Sequence, residues 1–529
     1  MRFAAIDVGS NSVHMVIADV QRDGYFEVID QTKEMVRLGR HAFSSGRLER
    51  PAMNLAIRAL RNFVRLARVR RVERIRAVAT SAVREARNRD AFIERIRRET
   101  GLRVAVISGA EEARLIFSAA RHALGLEGGP HLLVDVGGGS VELVLVRDGE
   151  PLWMVSLPLG VARISEEFLR SDPPTEGQVR RLEEHLEEQL SGPLRKARRA
   201  QVVNAIGTSG TINAMVSMAY AARGEEPERL HGLSASAAEV AALRRQIVAT
   251  PMAQRADLAG ADAKRVDLIP AAAILADHVL QHSGAPRLIA CTWALREGLL
   301  LSMAGEPHAN GRERTRRRSV RALARRFGAL DDHGRQVSRL ALKIFDETAE
   351  ALKLDEPARE LLEHAAILHD VGHAIHHHRH NRHTYYLIKS AELLGFSPLE
   401  IEVIAQAARA HRKQAARLDS PEFRALSPSK RHTVRGLAAI LRLADALDRS
   451  HFGVVKDMNI SCSAGRLAVA VDSGSGQADL ELWTCETRTD LLSKLLNRTV
   501  TVRPLRRRAS RRTPSTPRTA GNRVKAAHR

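Results

Sequence analysis

The chain has 529 residues and sets 83 Lys and Arg against 61 Asp and Glu, a formal charge of +22. Its 44% apolar content is enough for several buried cores, and the length implies three or four domains. Three cysteines, Cys291, Cys462 and Cys485, make no CxxC pair, which argues against a disulfide framework or a zinc ribbon. Arginine dominates the positive charge, and guanidinium matches phosphate oxygens two at a time, so the excess favours phosphate-rich partners. A general arginine bias of the source proteome is the competing reading. No stretch reaches the roughly 20 apolar residues of a membrane span. The best candidate, near Ala271, is broken by Asp277 and His278. The start, MRFAAIDVGS, has no apolar secretory region, so a reduced, cytoplasmic protein is expected.

In chain order, Phe3–Val20 (FAAIDVGSNSVHMVIADV) reads as two apolar strands around a Gly/Ser/Asn turn. Leu132–Val146 (LLVDVGGGSVELVLV) repeats the plan about 130 residues later, which predicts two related lobes. Between them, Leu55–Arg68 and Asp90–Glu99 are helical, while Ile75–Thr80 and Val104–Ile107 are strands. The class is therefore α/β in both lobes. Gly311–Arg318 reads as a polar, Arg-dense linker. Beyond it His333, Val337, Leu340, Ala341 and Ile344 recur at helical spacing. Leu467–Val471 and Leu480–Trp483 alternate as strands do. From Arg503 the chain is almost free of apolar residues and carries ten positive charges, a composition that predicts disorder. The expected domains are lobe I over 1–125, lobe II over 126–305, a helical domain over 306–452, a small α+β module over 453–502 and a tail over 503–529.

The turns carry the chemistry. Glycines let backbone N–H groups approach an anion, and Ser10, Asn11 and Ser140 add side-chain donors. Asp7 and Asp135, leading the two turns, are placed to hold a divalent cation against the same phosphate. A third small-residue turn, Ala205–Thr211 (AIGTSGT), makes a phosphate site the favoured reading over ordinary hairpins. Glu142 falls on the same strand face as Ser140. Glu111 and Glu112 open a helix, where carboxylates serve as dipole partners or, near a terminal phosphate, as a proton acceptor from water. Arg84 reads either as a phosphate clamp or as a solvated helix-start arginine.

The set IDVGSNSVHM, ATSAVREARN, ISGAEEARLIF, LLVDVGGGSVELV, AIGTSGT and ALREGLL resembles the exopolyphosphatase/guanosine pentaphosphate phosphohydrolase family, in order over residues 3–300 and onward to about 500. The resemblance implies two actin-like lobes of the sugar kinase/Hsp70 ATPase type, followed by an all-α HD-like domain. It implies Glu112 as catalytic base and Asp135 and Glu142, with Asp7, as acids holding Mg²⁺ or Mn²⁺. It implies Arg84 as a phosphate contact, and cradles at Gly9–Ser12 (with Ser10, Asn11, Ser12), Gly137, Gly138, Gly139 and Ser140, and Gly207, Thr208, Ser209 and Gly210. CTWALREG departs from the family's usual sequence, and Trp293 puts that loop's geometry in question.

In the helical region His333, His369, Asp370 and Asp445 resemble the HD-domain metal pattern, which implies a second divalent ion. His373, His383 and His411 are further candidate ligands there, whereas the run His376–His380 reads as a surface loop or an opportunistic metal contact. The expected substrate is inorganic polyphosphate, with guanosine pentaphosphate as the close alternative. A polyphosphate- or alarmone-binding regulator and a kinase using the same fold in reverse are the other readings. No sequence-specific nucleic-acid motif appears. A homodimer is expected from the resemblance to long family members.

Overall fold

Two antiparallel hairpins seed two mixed sheets. In the computed structural model, which describes residues 1–21, 26–227, 229–305, 312–412, 418–463, 465–474 and 476–505, the strands β1 (Arg2–Val8) and β2 (Ser12–Val20) pair antiparallel. β3 (Phe26–Met35) adds outside β2, and β4 (Arg74–Ala79) and β5 (Val104–Val106) extend the other side in parallel, giving the order β3-β2-β1-β4-β5. The second sheet repeats the plan. β6 (His131–Val136) and β7 (Val141–Arg147) form the hairpin, β8 (Glu150–Leu157) lies outside it, and β9 (Asn204–Thr208) and β11 (Arg287–Ala290) follow in parallel. A short β10 (Ser234–Ser236) closes that edge. β6 and β7 are buried on both faces, with Leu132, Val134 and Leu143 in the core of the second lobe and Leu133 and Val144 in the core that joins the lobes.

Each lobe has its own core, and a third core joins them. The joining cluster takes Phe3 and Val16 from the first sheet, Leu133 and Val144 from the second, and Leu115, Ala119, Leu299 and Leu300 from two helices. Those helices are Gly109–Leu124, which leads from β5 into the second lobe, and Leu295–Met303, which follows β11 and packs back on β1; the two pack on one another. Their approach is close enough that a Cβ on Gly298 would lie 2.1 Å from the carbonyl oxygen of Leu115. Only glycine fits that crossing.

Two expected local structures differ. The Arg-dense stretch after residue 311 is not a linker but the start of helix Arg312–Arg326. Its arginines are structural: Arg316, nearly buried, donates to the Gly395 carbonyl at 2.9 Å and to Glu400 at 2.5 Å, and stacks over Phe396. Polar composition hid a helix held by ion pairs instead of an apolar stripe. Leu480–Trp483 is not a strand but part of helix Asp479–Glu486. Its buried residues are Glu481, Thr484 and Cys485, at helical spacing, while Leu480 and Trp483 face solvent. Glu481 is buried because it accepts from the backbone N–H and hydroxyl of Ser450. The neighbouring strands β12 (Asp457–Cys462), β13 (Arg466–Asp472) and β14 (Thr499–Pro504) form the expected small sheet. β14 thus takes in Arg503 and Pro504, the first two residues of the expected tail; residues 506–529 lie outside the described residues.

The chain divides into two compact units, Met1–Leu330 with Ile367–Arg409, and Asp331–Ala366 with Ala410–Arg529. The helical region expected over 306–452 contributes to both. No helix among the described residues is long and apolar enough to cross a membrane. Replacing Gly298 by Ala should force the two lobe-joining helices apart and destabilise the protein by about 1–3 kcal/mol, the usual cost of overpacking, read as a lower urea midpoint.

Candidate active site

The two hairpin turns are built alike. Gly9 N–H bonds to the Ser12 carbonyl at 3.1 Å, and Gly137 N–H bonds to the Ser140 carbonyl at 3.0 Å. The strand register sets Asp7 across from His14 in the first hairpin and Asp135 across from Glu142 in the second. The turns face each other: a Cβ on Gly138 would come 3.1 Å from Ser10 Cβ. Helix Val161–Phe168 fixes the second turn, because Val161 and Ala162 donate to the carbonyls of Gly137 and Gly138. Gly160, just before it, runs so close that an added Cβ would sit 2.2 Å from Gly139 N.

Between the turns lies a cleft of about 150 Å³. Asp7, Ser10, Asn11, Ser12, Glu112, Asp135, Gly137, Gly138, Gly139, Ser140, Ser209 and Gly210 all line it, as the sequence led one to expect. Glu112 is held by Arg84, whose guanidinium donates to it at 2.9 Å and to the Ile107 carbonyl at 3.1 Å. Four expected residues lie just behind the cleft wall. Arg84 is turned to Glu112. Thr208 is buried in β9 and donates to Asp135, and Gly207 precedes it in that strand. Glu142 is buried and accepts from Ser156 at 2.7 Å. Asp7, Asp135 and Glu142 therefore do not converge: among the described residues they form no group of ligand atoms within 4.8 Å of one another.

The electrostatics are those of desolvated acids. Burial, opposed by Arg296, pushes Asp7 up to about 7, and burial, opposed by Thr208 and Arg296, pushes Asp135 up to about 6. Glu112 is raised to about 7 by burial against the pull of Arg84, and Glu142 is held well above the usual carboxylate range by burial and by the nearby Glu112 and Asp135. Among the described residues, Asp7 Oδ1 and Glu142 Oε2 are buried with no hydrogen-bond partner. Asp7 Oδ1, an orphaned hard oxygen on a residue lining the cleft, fits a Mg²⁺-type cation, and Asp135 is a second lining acid.

Sequence reading gave no role to four lining residues. Lys33, Arg265 and Arg296 bring positive charge, and His14 bridges Ser12 (2.8 Å) and Arg296 (3.0 Å). Burial and Arg296 hold His14 down to about 2, so it is a neutral ring, and burial with Arg265 lowers Lys33 to about 8. Arg296 lies within the ALREGLL motif, and Lys33 pairs with His14 across β2 and β3, so both had a signal available. Trp293 does not disturb the site. It stacks on Phe26 at 4.7 Å and donates to Glu392 at 2.8 Å, leaving Ala294–Arg296 to face the cleft.

The expected second metal pattern is split between the two units. His369 and Asp370 belong to the first, 3.6 Å apart; His333 belongs to the second, 3.8 Å from Asp445 and 2.8 Å from Asp448, an acid the sequence reading did not single out. His383 is half-buried, and the carbonyl of buried His411 accepts from Arg488. His380 is no surface-loop residue: it is buried at the start of helix His380–Ser390 and reaches Asp370 at 3.1 Å, beside His373 at 3.5 Å.

Residues 16–306 match the Ppx/GppA phosphatase family, and residues 315–479 match domain III of Ppx/GppA phosphatases. Exopolyphosphatase 1 of Mycobacterium leprae is 34% identical over 313 residues, covering 57% of this chain and 89% of its own. The crystal structure of an exopolyphosphatase from Cytophaga hutchinsonii aligns with a TM-score of 0.54 at 31% identity, over 57% of this chain and 98% of that one. An Aquifex aeolicus Ppx/GppA protein gives a TM-score of 0.51 at 32% identity, over 59% and 99%.

Two outcomes follow from the geometry. Gly160→Ala should push the Gly137–Gly139 turn into the cleft and abolish most turnover, with a circular dichroism spectrum like the parent's. The raised carboxyls stabilise the fold below about pH 4, and that contribution is lost as pH rises through about 7. In EDTA the melting temperature should therefore fall over that window, and Asp7→Asn should fall less; equal slopes would show that these acids are solvated.

Proposed function

Because the chain belongs to the Ppx/GppA phosphatase family of hydrolases acting on phosphoanhydride bonds, we propose that it is an exopolyphosphatase that removes the terminal phosphate of inorganic polyphosphate. The observation that carries this reading is the pair of facing turns, Gly9–Ser12 and Gly137–Ser140, over buried acids and under three cations. Backbone N–H groups and Ser10, Asn11 and Ser140 hold the terminal phosphate, while Lys33, Arg265 and Arg296 meet the charge of the next units. Asp7 and Asp135 would hold a divalent cation, with Glu142 behind them, and that ion would neutralise charge on the phosphate oxygens. Glu112 accepts a proton from water as its oxygen bonds the terminal phosphorus; the bridging P–O bond breaks, releasing orthophosphate and a chain one unit shorter. Arg84 keeps the Glu112 carboxylate aimed at that water.

The substrate choice draws on the adjoining cavity of about 310 Å³, which shares Asn11 with the cleft. Its wall sets Arg37, Arg40, Arg170 and Arg255 against Glu166, Asp172 and Asp267, with Arg37 paired to Asp267 at 3.2 Å and Arg255 to Asp172 at 2.6 Å. The balance is one positive charge, which favours an anion, and among the described lining residues there is no Phe, Tyr or Trp for a base to stack on. Guanosine pentaphosphate is the second reading, since it presents the same terminal group. In the helical region we assign the second divalent ion to Asp370, His373 and His380. Metal content after dialysis should be lower in His380→Ala than in the parent.

Phosphate release from long polyphosphate and from guanosine pentaphosphate, side by side with Mg²⁺, tests the substrate. Faster release from the polymer is expected, and the reverse order would move the assignment to the nucleotide. Glu112→Gln should lower kcat by about 10²–10⁴ with KM little changed. The parent's rate should rise with pH through about 7, as Glu112 ionises, and the variant should lack that rise.

A further inference from the structure

In lobe II, outside the cleft lining, two histidines and a glutamate come together that the phosphatase reaction does not use. His278 and His282 stand one turn apart on helix Ile269–Ser283, and Glu187 faces them from helix Glu176–Arg199. The two helices pack through Leu182, Leu186 and Leu190 against the lobe II core, so the three side chains project from a rigid seam. His282 Nδ1 lies 2.9 Å from His278 Nε2, and Glu187 Oε2 lies 3.2 Å from the first and 3.5 Å from the second. The same three atoms make all three contacts.

A tetrahedral ion with bonds of about 2.0–2.1 Å to nitrogen and oxygen separates its ligand atoms by about 3.3 Å. The triangle of 2.9, 3.2 and 3.5 Å is thus close to one face of such a tetrahedron. From the geometry we infer that Glu187, His278 and His282 form a binding site for a Zn²⁺-class transition-metal ion, with water in the fourth position. Two imidazoles and one carboxylate select borderline ions over Mg²⁺, which prefers six oxygens. His278 is almost wholly buried, while Glu187 and His282 keep 56% and 41% of their side chains exposed, so an ion enters from solvent without helix movement. Bound there, it clamps the long outer helix Glu176–Arg199 to the central helix of lobe II.

The competing account is a plain hydrogen-bonded cluster with no affinity for metal. Titration with Zn²⁺ and with Co²⁺, in excess Mg²⁺ so that oxygen-rich sites are filled, separates the two. The parent should bind one more equivalent than His282→Ala, and its cobalt form should show the intense visible bands of a four-coordinate ion. Glu187→Gln, a mild change at an exposed position, should keep the fold and weaken that equivalent by about tenfold or more. Zn²⁺ should also raise the melting temperature of the parent and not of His282→Ala. Equal stoichiometry in parent and both variants, or no zinc-dependent rise in melting temperature, would overturn the site.

Discussion

Four carboxyl groups held out of water set the terms for everything around them. Asp7, Glu112, Asp135 and Glu142 are all buried or nearly so, and each is raised toward neutrality mainly by that burial. An isolated buried carboxylate is expensive, and a group of four is more so. The surrounding structure answers that expense locally: Arg84 on Glu112, Thr208 on Asp135, Ser156 on Glu142 and the field of Arg296 over Asp7. What is left unanswered among the described residues is a lone oxygen on Asp7 and another on Glu142. The lobes must close on each other for this to exist at all, because the acids come from both hairpins. The shared core of Phe3, Leu133, Leu115 and Leu299 is therefore as much a part of the site as its polar residues.

Arg84 illustrates how such a site divides labour. As a phosphate clamp it would point into the cleft, but it points at Glu112 and at the Ile107 carbonyl. A guanidinium there counters the burial that raises Glu112, keeping a carboxyl that ionises near neutral pH in place of one that stays protonated. The cations that do face the cleft, Lys33, Arg265 and Arg296, come from three separate parts of the chain.

That dispersal explains what could be read in the sequence. The hairpins and their Gly/Ser turns are local patterns, each spelled by fewer than twenty consecutive residues, and they fall where expected. Arg265 has no such signature: it is one arginine among many, and only the folded lobe II brings it beside Thr211. The same limit produced the misread elements. Arg312–Arg326 has the composition of a linker and becomes a helix through Glu400 and Gly395, some 80 residues away. Leu480–Trp483 alternates as a strand would, yet buries Glu481 because Ser450 supplies its donors. His380 sits in a histidine-rich run that looks like loop, and Asp370 draws it inward. Local pattern wins where the partners are neighbours, and loses where a distant polar group decides.

The two hairpins are copies in plan but unequal in detail. Where the second sets Glu142 opposite its leading aspartate, the first sets His14, an uncharged ring. A groove with matched halves would present the same surface to a linear anion laid in either sense. Here one wall is acidic in depth and the other is neutral behind its leading aspartate, so the groove has a front and a back. In the proposed reaction the two ends of the polymer are chemically identical, so that polarity does not choose between them; it fixes which side of the groove takes the terminal phosphate and which side takes the rest of the chain.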